Sequence, residues 1–515
     1  MKKLLSSKKL VVVFAIITHC SLGQSTLNLA GSGKVHIDSG TVFTMNDLNI
    51  STGSQLVNRG HLTVNGVLAN FAGTPGLILT ADESGYGSLM HYTPLVAATV
   101  QQYLASERWH LVSPPVTQSQ IVVYENIYLK EWSEAGAEWT YLVQPTTIPM
   151  NQYEGYSAWA DNDLTGATTV SFEGSLKAGN GAFSNLSYSA ASPQPGWNLV
   201  GNPYPSPVEW NTNWTLNDVG GWAIVYENGT FKGWNPWMPS GEQSYNGKTD
   251  GLISPTQGFW IRTTGESPYV FIPQSARSHG PSPFLKESEI SQAQSLHLVA
   301  SANGFEDETV ILFMEGADPG FDALYDLEKH MNVLESPNLY SIPATGKAHA
   351  VNVLPDDWIE TTEPAIIPVG FDIGINTECT ITATGIESFD PSITIYLEDK
   401  KEDVLHNLHN NPEYIFGSSG QDDPDRFMLH FGDMTGIDDS QLNDISVYSF
   451  KDDIYIRNPG ENNGYAVIYD MQGRTISEVL LDNELTKIKI YRTGYYIVKV
   501  QSADNVIIRN VFIKH

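Results

Sequence analysis

The chain contains 515 residues, which is room for roughly three or four domains of about 150 residues each. Apolar residues make up 41% of the sequence, so hydrophobic cores can form. Acidic residues outnumber basic ones by 58 to 28, which gives a formal charge of −30. This charge argues against a nucleic-acid-binding surface, because such surfaces are basic. It also argues against charge-driven binding to anionic lipid.

Residues 1–23 have the pattern of a secretory signal peptide: a lysine-rich start, an apolar run over 10–17, and the small-x-small cleavage site Ser21-Leu22-Gly23. A buried N-terminal strand and a lipidated Cys20 are the alternatives, although the residues before Cys20 do not match the lipoprotein pattern. The apolar run is too short to cross a bilayer, and no later run reaches about 18 apolar residues. We therefore predict an exported chain with no transmembrane segment after cleavage.

Cleavage after Gly23 would leave Cys379 as the single cysteine, so the sequence predicts no intrachain disulfide. Cys379 lies in an alternating segment typical of a strand. No His or cationic residue stands near it in the sequence, so we predict a buried, unreactive thiol.

Residues 24–105 contain short apolar segments separated by Gly and Asn. The runs 54–60 and 61–66 end alike, in Asn-x-Gly or Asn-Gly. A period of six to eight residues indicates a few rungs of a β-solenoid. With so few repeats, an ordinary β-meander remains the alternative.

Residues 106–275 are rich in Trp, with eleven of the twelve Trp residues lying between Trp109 and Trp260. The segment 109–115 resembles 197–203, and an aromatic candidate hairpin follows each. Each half then closes with a Gly-aromatic pair, at 155–156 and 258–259. We predict two β units of common origin, packed as a sandwich or as a pseudo-symmetric pair.

The rest of the chain divides at two polar joints. Residues 276–290 and 433–443 are predicted linkers. Residues 291–432 alternate like a β-sandwich, with one helical turn predicted at 322–330, and residues 444–515 form a last small β domain. The predicted fold is all-β: a multi-domain chain of β-sandwich modules with a short N-terminal β-solenoid and an Ig-like C-terminal domain.

Residues 444–515 carry a recognisable motif set. The segments 467–474 (Val-Ile-Tyr-Asp-Met-Gln-Gly-Arg), 493–500 (Thr-Gly-Tyr-Tyr-Ile-Val-Lys-Val) and 511–515 (Val-Phe-Ile-Lys-His) occur in order. Together they resemble the type A C-terminal sorting domains of type IX secretion cargo. The final His515 departs mildly, since many members end near the Lys before it. The residues that carry the resemblance are Tyr469, Asp470, Gly473, Arg474, Gly494, Tyr495, Tyr496, Lys499 and Lys514.

The resemblance implies a protein of Bacteroidota that passes through the periplasm and then crosses the outer membrane. It implies the type IX secretion machinery and its sorting protease as partners, and a secreted or cell-surface location. Segments 196–205, 385–390 and 396–399 also resemble elements of such surface cargo. From the residues alone, 470–474 suits a hairpin turn, with Gly473 free to take positive φ.

Catalytic motifs are missing from the sequence. It contains no His-Glu-x-x-His, no Gly-x-Ser-x-Gly elbow and no phosphate-binding Gly-rich loop. No catalytic residue is assigned, and a noncatalytic role is favoured. A glycosidase needs only two carboxylates at a set separation, so a polysaccharide-acting hydrolase remains the alternative.

Calcium is the one candidate cofactor. Two loops are rich in the hard oxygen ligands that Ca²⁺ prefers, although neither has EF-hand spacing. Ordinary acidic turns are the alternative. The candidate ligands are Asp318, Asp322, Asp422, Asp423 and Asp425.

Four Trp residues stand beside Gly, Pro or charged residues and are predicted to lie on loops, where they could contact a glycan or a surface protein. They are Trp132, Trp139, Trp234 and Trp237. The alternative places the aromatic residues in the core, as we predict for Trp109, Trp197 and Trp260. The sequence therefore favours a noncatalytic secreted or surface-anchored protein for adhesion, surface assembly or glycan contact.

Overall fold

A computed structural model describes residues 20–21, 25–143, 147–227, 229–280, 293–343, 346–359, 365–390, 393–432, 446–450, 453–457, 464–481, 485–492, 494–501 and 506–513. The described residues form β-strands and five short 3₁₀ helices: Thr74–Gly76, Ile121–Tyr124, Gln274–Ala276, Asp356–Trp358 and Ile386–Ser388. None of these helices is long and apolar enough to cross a membrane. The all-β prediction is confirmed.

The chain forms two compact units, Met1–Leu429 and His430–His515. The first unit begins with strands β1 (Cys20–Ser21), β2 (Thr26–Leu29), β3 (Lys34–Ile37), β4 (Val42–Met45), β5 (Asp47–Ile50), β6 (Gln55–Asn58), β7 (His61–Val64), β8 (Leu68–Asn70), β9 (Leu77–Leu79), β10 (Ala81–Asp82), β11 (Gly85–Tyr86), β12 (Ser88–His91) and β13 (Ala97–Leu104).

Most of these strands build a parallel β-solenoid with three faces. The faces are β1-β4-β7-β12, β2-β5-β8 and β3-β6-β9-β13. Strands stack in register, so that Leu48 lies between Leu27 and Leu68. Asn49 donates to the side chain of Asn28, one turn and 21 residues earlier. The solenoid prediction is therefore confirmed over the meander, whose strands would be antiparallel; the six-to-eight-residue period is the spacing of successive faces.

The Trp-rich region contributes β14 (Trp109–Val112), β15 (Tyr128–Ser133), β16 (Glu138–Tyr141), β17 (Tyr156–Trp159), β18 (Thr168–Ser175), β19 (Gly181–Phe183), β20 (Trp197–Gly201), β21 (Val208–Glu209), β22 (Thr215–Asn217), β23 (Ala223–Glu227), β24 (Thr230–Trp234), β25 (Ser244–Tyr245), β26 (Leu252–Ile253), β27 (Gly258–Arg262) and β28 (Tyr269–Ile272). Its first core is continuous with the solenoid: one buried cluster runs from Leu29 to Leu176, and β13 pairs with β18. The structure therefore places no core boundary at the predicted position 105.

Two sheets of this region share one strand order. β14-β17-β15-β16 in the first half matches β20-β27-β23-β24 in the second, and β25 extends the latter. The halves meet through matched contacts. Val112 bridges to Gln257 as Val200 bridges to Glu154. The Ser113 N–H donates to Thr256 O at 2.8 Å, as the Gly201 N–H donates to Tyr153 O at 3.1 Å.

These contacts relate the two halves by an approximate twofold axis, as expected of a pseudo-symmetric pair. In the aligned repeats the equivalent residues are Val112 and Val200, Ser113 and Gly201, Tyr153 and Thr256, and Glu154 and Gln257. The common origin of the halves stays a prediction.

The next part of the chain contains β29 (Gln294–Ala302), β30 (Phe305–Met314), β31 (Leu327–Glu328), β32 (Asn338–Ser341), β33 (His349–Pro355), β34 (Ala365–Asp372), β35 (Thr377–Thr384), β36 (Ile395–Asp399), β37 (Val404–Asn407), β38 (Glu413–Ser418) and β39 (Phe427–Phe431). They form one 11-stranded sheet. The sheet folds over on itself, since β34 and β38 are far apart in its strand order while the Phe371 and Phe416 rings lie 5.0 Å apart.

Two expectations from the sequence concern this part of the chain. The predicted helical segment 322–330 contains a single turn, closed by Asp326 N–H donating to Asp322 O, and then enters β31. Cys379 is buried as predicted, and burial raises the pKa of its thiol to about 12. Trp222 and Tyr245 share a core cluster with Val310 and Val351, so the sandwich packs directly on the Trp-rich region.

Residues 276–280 do not behave as the predicted linker. Arg277 Nη1 donates to His91 O at 2.6 Å, and His279 ring nitrogens lie 2.7 Å from Thr63 Oγ1 and 2.8 Å from Ser88 Oγ. These contacts fasten the segment to the solenoid. Three predicted segments lie wholly or largely outside the described residues. They are the remainder of that linker (281–290), the linker 433–443 and the signal peptide 1–23, of which only 20–21 are described.

The second unit contains β40 (Ser446–Phe450), β41 (Asp453–Arg457), β42 (Gly464–Asp470), β43 (Thr475–Leu481), β44 (Leu485–Lys489), β45 (Gly494–Gln501) and β46 (Val506–Ile513). They form two antiparallel sheets, β40-β41-β44 and β43-β42-β45-β46. Ile454, Ile468 and Val498 belong to one core that the sheets share. The unit is thus a small β-sandwich.

Candidate ligand-binding pocket

A pocket of about 380 Å³ opens in the Trp-rich region, within the size range of small-ligand sites. The turn before β17 forms one wall, and the antiparallel pair β19 and β28 forms the other. The lining residues are Asn151, Tyr153, Glu154, Asn180, Gly181, Ala182, Phe183, Ser184, Asn185, Tyr269 and Phe271.

The turn wall is held by its own side chains. Asn151 Oδ1 accepts the Tyr153 N–H at 3.0 Å, and Asn151 Nδ2 donates to Glu154 Oε1 at 3.0 Å. The Tyr156 hydroxyl accepts the Asn151 N–H at 3.0 Å and donates to Glu154 Oε2 at 3.3 Å. These bonds fix the Glu154 carboxylate at the rim of the pocket.

Aromatic rings supply the apolar surface. The Tyr153 ring meets Phe183 edge to face at 6.0 Å, and Tyr269 is 39% exposed. Gly181 permits this approach, because a Cβ there would lie 3.3 Å from Tyr153 Cε1 and 2.9 Å from the Tyr204 hydroxyl. Burial raises the pKa of Tyr153, so its hydroxyl stays protonated at neutral pH.

The pocket therefore combines aromatic faces with amide and hydroxyl groups. Such groups can pack on the apolar face of a sugar and hydrogen-bond its hydroxyls. Among the described lining residues, Glu154 is the only carboxylate, so the pocket does not offer the carboxylate pair that the hydrolase hypothesis requires.

The predicted ligand-contact residues Trp132 and Trp139 lie on strands, not loops, which corrects their expected location. They face each other across β15 and β16 with ring centroids 5.4 Å apart. Both rings also contact Trp260, and the Trp132 indole N–H donates to Trp197 O at 2.8 Å. They help to fill the aromatic core between the two halves.

Trp234 also lies on a strand, whereas Trp237 lies in a turn. Both are half-buried against the core of the second half, and the Trp237 ring is 5.9 Å from Trp210. None of the four predicted Trp residues lines the pocket. No local sequence pattern predicts the pocket, because Tyr153, Phe183 and Tyr269 come from distant segments.

The candidate Ca²⁺ ligands make internal contacts. Asp318 and Asp322 accept backbone N–H groups of Gly320 and Leu324, as turn-forming residues do. Asp423 accepts the Asp425 N–H at 3.0 Å. Among the described residues no group of three His, Cys, Asp or Glu could hold a metal ion.

Asp422 is the most heavily engaged of these carboxylates. Its oxygens accept from Lys401 Nζ at 2.9 Å and Ser419 Oγ at 3.0 Å. Burial raises the pKa of Asp422, but the hydrogen bonds from Lys401 and Ser419 outweigh it and lower the pKa to about 2. Calcium binding at these loops stays an untested prediction.

The sorting-motif residues form the predicted turn. Asp470 Oδ1 accepts the backbone N–H groups of Gln472 and Arg474, and Oδ2 accepts from Arg474 Nε at 2.7 Å. Gly473 takes a φ of 77°, and Tyr469 lies at the end of β42, just before the turn.

The remaining motif residues lie mostly on β45, which pairs with both β42 and β46. Gly494 begins this strand. Tyr496 is buried and its hydroxyl donates to Arg492 O, whereas Tyr495 is 61% exposed and Lys499 is half-buried. Lys514 lies outside the described residues.

A second groove, of about 730 Å³, lies between β24 and β30. One of its lining carboxylates, Glu308, is engaged within the fold: Oε1 lies 2.8 Å from His297 Nδ1, and Oε2 accepts the Asn246 N–H at 2.7 Å. His297 Nε2 lies 3.0 Å from Glu242 Oε2. The first pocket is the better candidate for a site with aromatic faces, because four aromatic residues line it, whereas Phe305 is the one aromatic residue among the described residues that line this groove.

The sequence matches no curated protein. Solved structures with some similarity include a BSP domain of a biofilm-associated protein (7% identity, 84% of this chain and 99% of that chain, TM-score 0.19). Others are PorZ, a surface component of the type IX secretion system of Porphyromonas gingivalis (11%, 76% and 68%, TM-score 0.13), and a Ca²⁺-stabilised ice-binding adhesin of an Antarctic bacterium (11%, 78% and 91%, TM-score 0.12).

These TM-scores are too low to carry an argument about fold or function. The match to a protein family is extensive by contrast. A family model covers residues 14–431, which is most of the chain. The chain therefore belongs to the family described as the domain of unknown function DUF8693.

Proposed function

We propose that this chain is a noncatalytic secreted or surface-anchored protein that binds glycans through the pocket around Tyr153 and Tyr269. The observation that carries the proposal is the composition of that pocket, in which aromatic rings stand beside amide and hydroxyl groups. Tyrosine suits this role because its ring is apolar and its hydroxyl is a hydrogen-bonding group.

The test is a glycan array probed with the mature chain, residues 24–515, while reducing ends are measured in the same wells. Tyr269→Ala removes an exposed ring of the pocket, and we expect affinity to fall at least tenfold, or about 1.4 kcal/mol. Tyr128→Ala is the matched control, because Tyr128 is 46% exposed and does not line the pocket.

Equal loss of binding in both variants, or none in either, would contradict the assignment of the pocket. New reducing ends would instead favour the hydrolase alternative. In that case the carboxylate pair would have to lie elsewhere than in this pocket.

We further propose that the second unit directs export by type IX secretion, with the secretion machinery and its sorting protease as partners. Support comes from the motif resemblance and from the Asp470–Arg474 turn, which the folded sandwich presents at one end of β42. Adhesion to a surface glycan is the role that combines this export route with the pocket.

A further inference from the structure

We infer that the pocket selects uncharged glycans and rejects acidic ones such as uronate or sialylated chains. This inference rests on the proposed glycan-binding function and specifies the class of ligand.

The charge of the pocket is negative. Glu154 stands at its rim, and among the described lining residues none is Lys, Arg or His. An acidic sugar would therefore bring a carboxylate near Glu154 without any cation to pair with it. Like charges in such a site are repelled and partly desolvated, which discriminates against acidic ligands. The chain's charge of −30 acts in the same direction.

The remaining polar groups are neutral and suit sugar hydroxyls. Ser184 and Asn185 are exposed at the pocket, and Tyr269 lines it from β28. Asn180 Oδ1 accepts the Gln274 N–H at 3.0 Å, which leaves the Asn180 amide nitrogen to donate. Hydroxyls both donate and accept, so they can satisfy this mixed set, whereas a carboxylate can only accept.

The second half of the Trp-rich region contains a turn at 254–257 that is related to the turn at 151–154. Gln257 N–H donates to Ser254 O at 3.3 Å, as Glu154 N–H donates to Asn151 O at 3.1 Å, and Gln257 occupies the position of Glu154. The solenoid contacts this second turn: the Tyr86 hydroxyl donates to Ser254 Oγ at 3.3 Å, and Gln102 Nε2 donates to Thr256 O at 2.8 Å. The two solenoid groups that contact this copy of the turn, a hydroxyl and an amide, are uncharged, as we infer for the ligand at the Glu154 turn.

The experiment compares the mature chain on matched neutral and acidic oligosaccharides: neutral hexose and N-acetylhexosamine chains against uronate, sialylated and sulfated chains. We expect at least tenfold tighter binding to a neutral chain than to its acidic counterpart. Because the favoured ligand is neutral, its affinity should change less than twofold between about 50 and 500 mM NaCl.

Two variants test the cause. Asn185→Lys adds a cation at the rim of the pocket and should increase the affinity for acidic chains at least tenfold. Glu154→Gln removes the negative charge and should reduce the difference between the affinities for neutral and acidic chains. Gln is compatible with the turn, since the related turn carries Gln257. Circular dichroism of both variants checks the fold.

Tighter binding of the unmodified chain to acidic than to neutral glycans would overturn this inference and leave the glycan-binding proposal intact. An unchanged ligand preference in both variants would also overturn it. No binding to any glycan would overturn the proposed function, and this inference with it.

Discussion

Arg426 and Asp399 form an ion pair in which each side chain is 1% exposed. Arg426 Nε and Nη2 contact the two Asp399 oxygens at 2.8 and 2.6 Å, and the Tyr414 hydroxyl donates to Asp399 at 2.8 Å. The guanidinium also lies 4.6 Å from the Phe416 ring centroid. Removing one charge would leave the other buried without its partner.

We expect Arg426→Ala to lower the free energy of unfolding by about 3–5 kcal/mol, as measured by urea denaturation. Lys347→Ala is the control, because Lys347 is 50% exposed in its ion pair with Glu328 and should contribute at most about 1 kcal/mol. Similar effects of the two substitutions would contradict this account.

His297 lies between two carboxylates, and its side chain is 21% exposed. Burial lowers the pKa of His297, but the hydrogen bonds and charges of Glu242 and Glu308 outweigh it and raise the pKa to about 10. A pKa raised on folding stabilises the fold below the unfolded pKa of about 6.5, and this stabilisation is lost as the pH rises through 10.

The unmodified chain should therefore lose more stability than His297→Gln between pH 6.5 and 10, by up to about 4 kcal/mol. The measurement is the difference between their urea unfolding curves across that pH range, which cancels the titration of other groups. Parallel curves for the two proteins would disprove the proposed linkage.

The sequence pattern predicts which Trp residues are buried in the core better than it predicts which Trp residues lie on loops. Trp197 and Trp260 are buried as expected, because they lie within apolar strand patterns. Trp132 was expected on a loop because charged and Gly residues surround it, but cross-strand packing on Trp260 decides its position. That packing depends on residues more than a hundred positions away, which no local pattern contains.

At the scale of elements, Ser113 and Gly201 meet near the approximate twofold between the halves. A Cβ on Gly201 would lie 2.3 Å from Ser113 Cβ and 2.7 Å from Glu154 O. The equivalent positions therefore cannot both carry a side chain. Gly201 is needed because Ser113 already occupies the space.

Gly201→Ser should lower the free energy of unfolding by about 1–3 kcal/mol through overpacking. Adding Ser113→Gly should recover part of that loss, because it removes the contact with the Ser113 Cβ but leaves the contact with the Glu154 carbonyl oxygen. Thermal or urea unfolding of the two single variants and the double variant forms the required cycle. Additive losses in the double variant would contradict the pseudo-symmetric interpretation.

Strand periodicity predicted individual elements well. The short segments of the solenoid, the repeated Trp-rich hairpins and the Asp470–Arg474 turn were all expected from apolar spacing and turn residues. The parallel stacking of Leu27, Leu48 and Leu68 was harder to predict, since only the weak Asn-Gly repeat indicated it. No sequence pattern predicts the contacts of His297 with Glu242 and Glu308.

At the scale of the whole molecule, the predicted boundaries depended on polar, Gly- and Pro-rich composition. The linker prediction is wrong at 276–280, where the polar residues Arg277 and His279 bind the solenoid. Their partners lie 186 and 191 residues earlier in the chain. Composition registers that a segment is polar, but it does not show what the segment binds.

Deletion of residues 444–515 should leave the protein in the periplasm if the second unit directs export. Cell fractionation with surface protease treatment measures the location. Cooperative thermal unfolding of the truncated protein is the control, because it shows that retention is not caused by misfolding. Undiminished appearance of the truncated protein at the surface would refute the export proposal.

The contacts of Arg277 and His279 with His91 and Ser88 join the two ends of a 191-residue span of chain. In many exported proteins a cystine closes such a ring covalently. Here the closure consists of hydrogen bonds, and both cysteines of the sequence, Cys20 and Cys379, lie outside the span. No reductant could therefore open this ring, so its closure is independent of the redox state of the surroundings.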